Sequence, residues 1–513
     1  MGRFGPPATH GATIMGGRRD ITMTSAAAKP DLVIRNARLI DGTGAPSRSG
    51  DVAVADDRIV ALGDLDRAAG AREIDAAGKA VAPGFIDAHT HDDRALLADP
   101  LMSCKVSQGV TTVVAGNCGV SLAPLATGTR PPPPMDLVCS EPDGFYGDFG
   151  AYLDALDGDP PAANAVAQVG HSTLRVGAMD RLDRAATTDE ITVMRAALER
   201  SLEAGAIGLS TGLFYPPATA APTDEVIALA TTLRAFGALH TTHMRDEADH
   251  IADSLDETFR IGRAADVPVV ISHHKCAGKA HFGRTIETLA LIEETRAAQP
   301  IGLDVYPYIA GSTMLGSGRD MAASRILVTW SEPHPEAAGR DLADIAADMG
   351  LSETDTIQAL NPAGGIFFMM DEDDVRRVLA YPHAMIGSDG LPHDVHPHPR
   401  LWGTFPRVLG HYARDVGLFS VEEAVRKMTS LTARQFGLKD RGVLRAGAYA
   451  DLVLFDPDTV ADTATFDEPK RPAAGIELVM VNGRIVWQDG AHTGVRPGRA
   501  LRRGDLDPPQ AAA

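Results

Sequence analysis

Two textures share the chain. Residues 31–82 read as short strands: DLVIRNARLIDGTG and GDVAVADDRIVALG place β-branched and apolar residues at alternate positions, broken by Asn, Asp and Gly. The same texture returns near the C-terminus in RAGAYADLVLFDP and IELVMVNGRIVWQDG. Between them, short apolar runs alternate with stretches of helical spacing, the pattern of buried parallel strands joined by crossover helices. The candidate strands are VAPGFIDAHTH, VTTVVAGNCG, NAVAQVGHSTLR, AIGLSTGL, ALHTTHMR, VPVVISHHK, IGLDVYPY and AMIGSDG. Helices are expected over 188–205 and 223–237, each opening on Thr-Asp-Glu as N-cap and first-turn acids and closing at glycine. Eight such units predict an α/β fold, a (β/α)8 barrel over residues 83–438. The two ends, 29–82 and 439–500, are expected to form one small β domain. More than seventy residues separate DVYPYIAG from AMIGSDG, too many for one crossover helix, so an inserted subdomain is expected at about 315–370. A second long interval, 121–160, contains RPPPPM (130–135) and reads as an irregular loop near the barrel mouth.

Composition narrows the partners. The 513 residues are 44% hydrophobic and 23% charged, enough for one large barrel with an attached domain. A net charge of −20 argues against nucleic acid and anionic membranes, both of which require basic patches. No apolar run approaches the ~20 residues of a membrane helix. The four cysteines, Cys104, Cys118, Cys139 and Cys276, are too sparse for a disulfide framework and suggest a reducing compartment, the cytoplasm. Residues 1–28 lack a continuous secretory apolar segment and read as a disordered extension, with Met23 an alternative start; 501–513 read as a tail.

Candidate chemistry sits where the apolar runs end. In parallel barrels, functional side chains gather at the C-terminal ends of the strands. Here those ends carry His89 and His91, Cys118, His171, His243, His273 and His274, and Asp389, a possible ligand at six of eight positions. His89 and His91, two apart, share one face of an extended strand. A lone histidine after a strand is usually a core or capped residue, and Ser-Asp-Gly is also good turn chemistry. Their recurrence at one structural level points instead to a metal centre. Imidazoles, one thiolate and a carboxylate suit zinc with an open position, whereas calcium or magnesium calls for oxygen-rich cages. The other three cysteines have no such context and read as small buried residues.

The motifs PGFIDAHTH, AGNCG, HMRDE, SHHK and GSDGLPH resemble the amidohydrolase superfamily, and within it the N-acyl-D-amino-acid deacylases, or D-aminoacylases. GSDGLPH followed by PHPRLWGTFPRVLGHY (397–412) is specific to that subgroup; HxH is common to the whole superfamily. The resemblance runs from about residue 31 to about 500. It implies a distorted (β/α)8 TIM barrel with a small β-sandwich-like domain formed by both chain ends. It also implies zinc-dependent hydrolysis of an N-acyl-D-amino acid to a carboxylate and a free D-amino acid. Many superfamily members bridge two metals with a carboxylated lysine on strand four. AIGLSTGL has none, which departs from dihydropyrimidinases, hydantoinases and urease and agrees with the D-aminoacylase type, where a strand-two cysteine takes over. By this resemblance Cys118, His243 and His273 form a tight zinc site, and His89, His91 and Asp389 a second, weaker one. Asp389 is also the implied general base and acid, and alternation turns His274 away.

A substrate α-carboxylate calls for a cationic clamp, for which Lys275, directly after the strand-six histidines, is the candidate. Tyr306 and Ser312 resemble positions the family uses for the same purpose, and Phe214 in GLFYPP and Met370 in GGIFFMM resemble its side-chain pocket, which if apolar would favour hydrophobic substrates. The partner implied is a small-molecule substrate, handled by a monomer or small homo-oligomer. A D-dipeptidase or cyclic-amide hydrolase would keep the fold and change the substrate, and the missing strand-four lysine disfavours cyclic amides. A non-catalytic binding module would tend to lose its ligands, and this chain retains them.

Overall fold

Eight short parallel strands carry the middle of the chain. They are β1 (Phe85–Asp87), β2 (Val110–Ala115), β3 (Asn164–Ala167, continued by Val169–Gly170), β4 (Gly208–Gly212), β5 (Leu239–His243), β6 (Val269–Ile271), β7 (Ile301–Val305) and β8 (Ala384–Ile386). The structure, a computed structural model, describes residues 1–2, 29–66, 71–319 and 322–510. Each barrel strand pairs in parallel with the next. The ring closes where Thr90 bridges Gly390 and the Ala88 amide donates to Ile386 O at 3.1 Å. The break in β3 at Gln168 and the shortness of β1 and β8 divide it into arcs of three and six strands, which is the distortion of this TIM barrel. Every residue of these strands is buried, on both faces of the sheet.

The barrel interior is filled by Ile86, Val114, Val166, Ile207, Leu239, Val270 and Met385, and helix Ser430–Phe436 closes its N-terminal end with Leu431 and Phe436. Residues 501–510, expected as a tail, run along that same end: Leu501 N donates to Ala165 O (2.8 Å), Asp507 N to Gly437 O and Gln510 N to Arg434 O (both 2.9 Å). Apolar cover for the barrel base holds them there, through Leu501 and Leu506. The expected N-terminal extension lies, apart from residues 1–2, outside the described residues.

Helix Thr188–Ala204 has a full capping box and stops at Gly205, but its cap is Thr187, paired with Glu190, one residue ahead of the expected Thr188, which is already helical. Helix Thr223–Ala230 departs from expectation. Pro222 occupies its N-cap and Thr223 is already helical, its hydroxyl donating to Glu257 Oε1 (2.9 Å) rather than capping. A 3-10 turn, Thr231–Phe236, extends it to Gly237.

Strands from both chain ends join edge to edge in one nine-stranded sheet, the junction being Ala80–Pro83 antiparallel to Leu452–Phe455. The sheet folds back on its own apolar cluster, with Ile59 N donating to Ala448 O at 2.9 Å. Between β7 and β8 the chain builds a three-stranded antiparallel sheet, Ala310–Met314, Ile326–Ser331 and Ala363–Phe368, with helices Leu342–Met349 and Glu353–Leu360. Among the described residues no helix is long and apolar enough to cross a membrane.

Candidate metal centre and active-site cavity

At the C-terminal mouth of the barrel the strand ends converge on one thiol. Cys118 Sγ lies 3.3 Å from His89 Nε2 and 3.4 Å from His273 Nε2. Asp389 Oδ1 lies 3.2 Å from His91 Nε2 and 3.5 Å from His89 Nε2. Two donor groups result: His89, His91, Cys118 and Asp389, and Cys118, His243 and His273, with the donor atoms within 4.8 Å of one another. Cys118 belongs to both. The turns that deliver these side chains are strained, since Cys118 (φ 52°), His273 (φ 36°) and Asp389 (φ 50°) all occupy the left-handed region. Such a conformation costs a non-glycine residue on the order of 1–3 kcal/mol and persists only where the surroundings impose it. Gly212 makes room for the Cys118 turn; a Cβ there would fall 2.1 Å from Cys118 O.

The electrostatics follow from burial opposed by neighbours. Burial pushes the Cys118 thiol up, but His89 and His273 outweigh it and hold the pKa well below the ordinary value. Burial likewise raises Asp389, and the charges of Arg400, His273 and His89 overcome it and keep the carboxylate ionised. His91 is lifted to about 9, its burial outweighed by the hydrogen bond to Asp389 and by Cys118. His243 is lowered to about 4, chiefly by burial. These groups form a buried anionic cradle that holds protons on imidazoles, and a dication satisfies the same charges. His91 Nδ1 and His243 Nδ1 have no protein hydrogen-bond partner among the described residues. The donors fit zinc in kind and number.

A second layer orients the first. Asp304 Oδ2 lies 3.4 Å from His89 Nδ1, and its Oδ1 accepts from His273 N (2.8 Å). Glu247 Oε1 accepts from Lys275 Nζ (2.8 Å) and lies 3.1 Å from His273 Nδ1. Its Oε2 accepts from Arg319 Nη2 (2.5 Å), which is 2.9 Å from His243 Nε2. Arg400 pairs with Asp389 Oδ2 at 2.9 Å. The donors form the floor of a cavity of about 540 Å3, with Lys275, Tyr306, Ser312 and Arg319 on its polar wall and Val120, Leu137, Met369 and Leu391 among its apolar residues.

The sequence pattern of the amidohydrolase family matches residues 72–487. The chain belongs to that family. A D-aminoacylase of Alcaligenes xylosoxydans xylosoxydans is 57% identical over 473 residues, 92% of this chain and 98% of that protein. An N-acyl-D-aspartate deacylase of the same organism is 53% identical over 490 residues, 95% of this chain and 98% of that protein. A solved D-aminoacylase, described as having a binuclear metal centre with one-metal activation and second-metal attenuation, superposes with a TM-score of 0.90 at 57% identity, covering 92% of this chain and 100% of that one. So does an N-acyl-D-glutamate deacylase from Bordetella bronchiseptica, complexed with zinc and a phosphonate mimic of the tetrahedral intermediate, at 46% identity over 93% of this chain and 100% of that one (TM-score 0.90).

This amidohydrolase brings Cys118, His243, His273, His89, His91 and Asp389 together, with Lys275, Tyr306 and Ser312 at the same cavity. Two pocket expectations need correction. Phe214 does not line the cavity; it stacks on His243 (5.6 Å, 22°) beneath the Arg319 guanidinium, and its neighbour Tyr215 takes the wall position. Met370 faces a second cavity of about 290 Å3 behind Tyr306, and Met369 lines the first. Both lie just beyond a strand end, where the turn sets direction and alternation no longer holds. His274 turns away, its Nε2 at 2.8 Å from Thr288 Oγ1. His171, one of the strand-end candidates, is no part of the centre: its Nε2 meets Glu225 Oε1 at 3.0 Å. Sequence reading missed Glu247, Asp304, Arg319 and Arg400. Glu247 carried a signal in HMRDE, four residues after His243. Arg319 carried none, since it enters from the insertion.

Proposed function

We propose that this chain is a zinc-dependent N-acyl-D-amino-acid deacylase, releasing a carboxylate and a free D-amino acid. The observation that carries the reading is a buried Cys118 shared by two donor groups, with ionised Asp389 at their edge and paired cations across the cavity. Cys118, His243 and His273 would hold the tight zinc, and His89, His91 and Asp389 a weaker second ion. Zinc so held supplies Lewis acidity, polarising the amide carbonyl and making water nucleophilic near neutral pH. Asp389 Oδ1 faces the donor groups and accepts the proton of the attacking water, then returns it to the departing amine nitrogen. Arg400, on the other oxygen of Asp389, fixes the carboxylate's orientation. Tyr306 and Ser312 line the wall on which Lys275 and Arg319 receive the α-carboxylate.

Charge counting bears on the side chain. Among the cavity's own ion pairs, Lys275 and Arg319 share the single carboxylate of Glu247 and Arg400 is paired with Asp389, which leaves one of these three cations without a carboxylate of its own. One excess cation matches one substrate carboxylate. An acidic side chain would bring a second into an apolar wall with no partner. N-acetyl-D-methionine is therefore expected to exceed N-acetyl-D-aspartate in kcat/KM by tenfold or more, about 1.4 kcal/mol; comparable values would overturn the charge argument. The founding experiment is release of amino acid from N-acetyl-D- and N-acetyl-L-methionine. Turnover of the D form alone, abolished by chelation and restored by zinc, is the expected result; turnover of neither sinks the proposal. All four cysteines are buried and unpaired, in keeping with a cytoplasmic setting.

A further inference from the structure

Beneath the donors lies a fully buried ammonium. Lys105, on the one-turn helix Ser103–Val106 between β1 and β2, is 0% exposed. Its Nζ donates to Asp87 Oδ2 (2.9 Å) and Ser388 Oγ (2.8 Å) and stands 3.3 Å from Asp92 Oδ2. Each partner adjoins a donor: Asp87 precedes His89 by two residues, Asp92 follows His91, and Ser388 precedes Asp389. The contacts continue into the backbone. Asp87 Oδ1 accepts from Ser388 N (2.7 Å) and His89 N (3.3 Å), and Ser388 Oγ accepts from Gly390 N (3.3 Å). Asp389 N donates to His89 O at 2.8 Å. One charge thus ties the end of β1 to the left-handed turn that presents Asp389.

A lysine buried for bulk alone would be replaceable by methionine or leucine, because removing an ion pair from water costs several kcal/mol per charge. Burial alone would strip the proton from Lys105, but Asp87 and Asp92 outweigh it and keep the amine charged. The ion lies where two donor-bearing segments, 87–92 and 388–390, meet, and among the described residues its side-chain hydrogen bonds run to Asp87 and Ser388. We infer that Lys105 is a positioning residue, acting through Asp87, Asp92 and Ser388 to align His89, His91 and Asp389 as a unit. The group formed by Cys118, His243 and His273 has supports apart from Lys105: Glu247, and Asp304, which also faces His89.

The inference rests on the metal-dependent reading of the site, and its test is read from metal binding as well as turnover. The metal-free full-length chain, wild type and variants, is titrated with cobalt(II) by calorimetry and visible absorption. Ser388→Ala removes one link while leaving Lys105 paired with Asp87 and Asp92; Lys105→Met and Lys105→Arg complete the set. In Ser388→Ala and Lys105→Met, the first equivalent and its thiolate charge-transfer band are expected unchanged, with the second weakened tenfold or more. The kcat for N-acetyl-D-methionine should fall at least tenfold with KM within twofold, and Lys105→Arg should recover part of both losses. If Lys105→Met does not fold, Ser388→Ala decides. A second equivalent and kcat within twofold of wild type would overturn the inference, as would equal weakening of both equivalents. A wild type that binds two cobalt ions yet hydrolyses no N-acyl-D-amino acid would overturn the functional reading alone, and the titration would still judge Lys105.

Discussion

Cys118 is the residue on which both donor groups turn, and it is held as a thiolate by imidazoles on two sides. Cys118→Ala should therefore strip the tight zinc. Zinc content after dialysis is the check, and full retention would remove Cys118 from the ligand set. Asp389 lies outside the group formed by Cys118, His243 and His273, so Asp389→Asn should keep that zinc. It should lose turnover by ~10²–10⁴-fold, the usual worth of a general base; near-normal kcat would refute its role. Glu247 shows how a residue acquires weight from its neighbours: a carboxylate buried to 3% exposure with Lys275, Arg319 and two histidines around it.

At the scale of elements, Glu225 joins two crossover helices. From helix Thr223–Ala230 it accepts from His171 Nε2 (3.0 Å), from Arg175 and from Ala186 N (3.0 Å), the first two on helix His171–Ala178. Burial would raise its pKa, but the hydrogen bonds from His171 and Arg175 prevail and hold it at about 2, below the ordinary 4.5. The sign follows: a depressed carboxyl contributes stability fully present above its unfolded pKa and lost as pH falls through the folded one. This contribution should disappear between about pH 4.5 and 2. Glu225→Gln leaves the fully buried Arg175 without its counter-charge and should cost roughly 3–5 kcal/mol at pH 7. Urea unfolding of both proteins from pH 7 to 3 checks it; equal stability throughout would show that Arg175 needs no partner. His171 thus belongs to the frame that holds β3 against β4. Its place at a strand end resembled that of a ligand because the sequence shows the level a side chain occupies and not the direction in which it leaves.

The whole molecule depends on its ends. The sheet built from both termini is joined through Ala80–Pro83 and Leu452–Phe455, and residues 501–510 cover the barrel base. Deleting 501–513 removes Leu501 and Leu506, which pack partly buried against the interior cluster, and should cost about 2–4 kcal/mol at the ordinary worth of a buried leucine. The metal stoichiometry, set at the opposite end of the barrel, should not change. Calorimetry with zinc analysis measures both, and an unaltered Tm would make the segment dispensable. The barrel was legible in the sequence, as were the like textures of the two ends and the six residues proposed as donors. Those are recorded locally, as apolar runs of strand length and as ligand types repeated where the runs stop. The tertiary structure decided which of Phe214 and Tyr215, and of Met370 and Met369, reaches the cavity, because those residues follow turns rather than the two-residue period of a strand. It also decided the convergence of Glu247, Arg319 and Arg400, whose charges lie up to 153 positions apart. Only closure of the barrel and docking of the insertion place them beside one another, and long-range electrostatic pairing leaves no periodic trace in a chain.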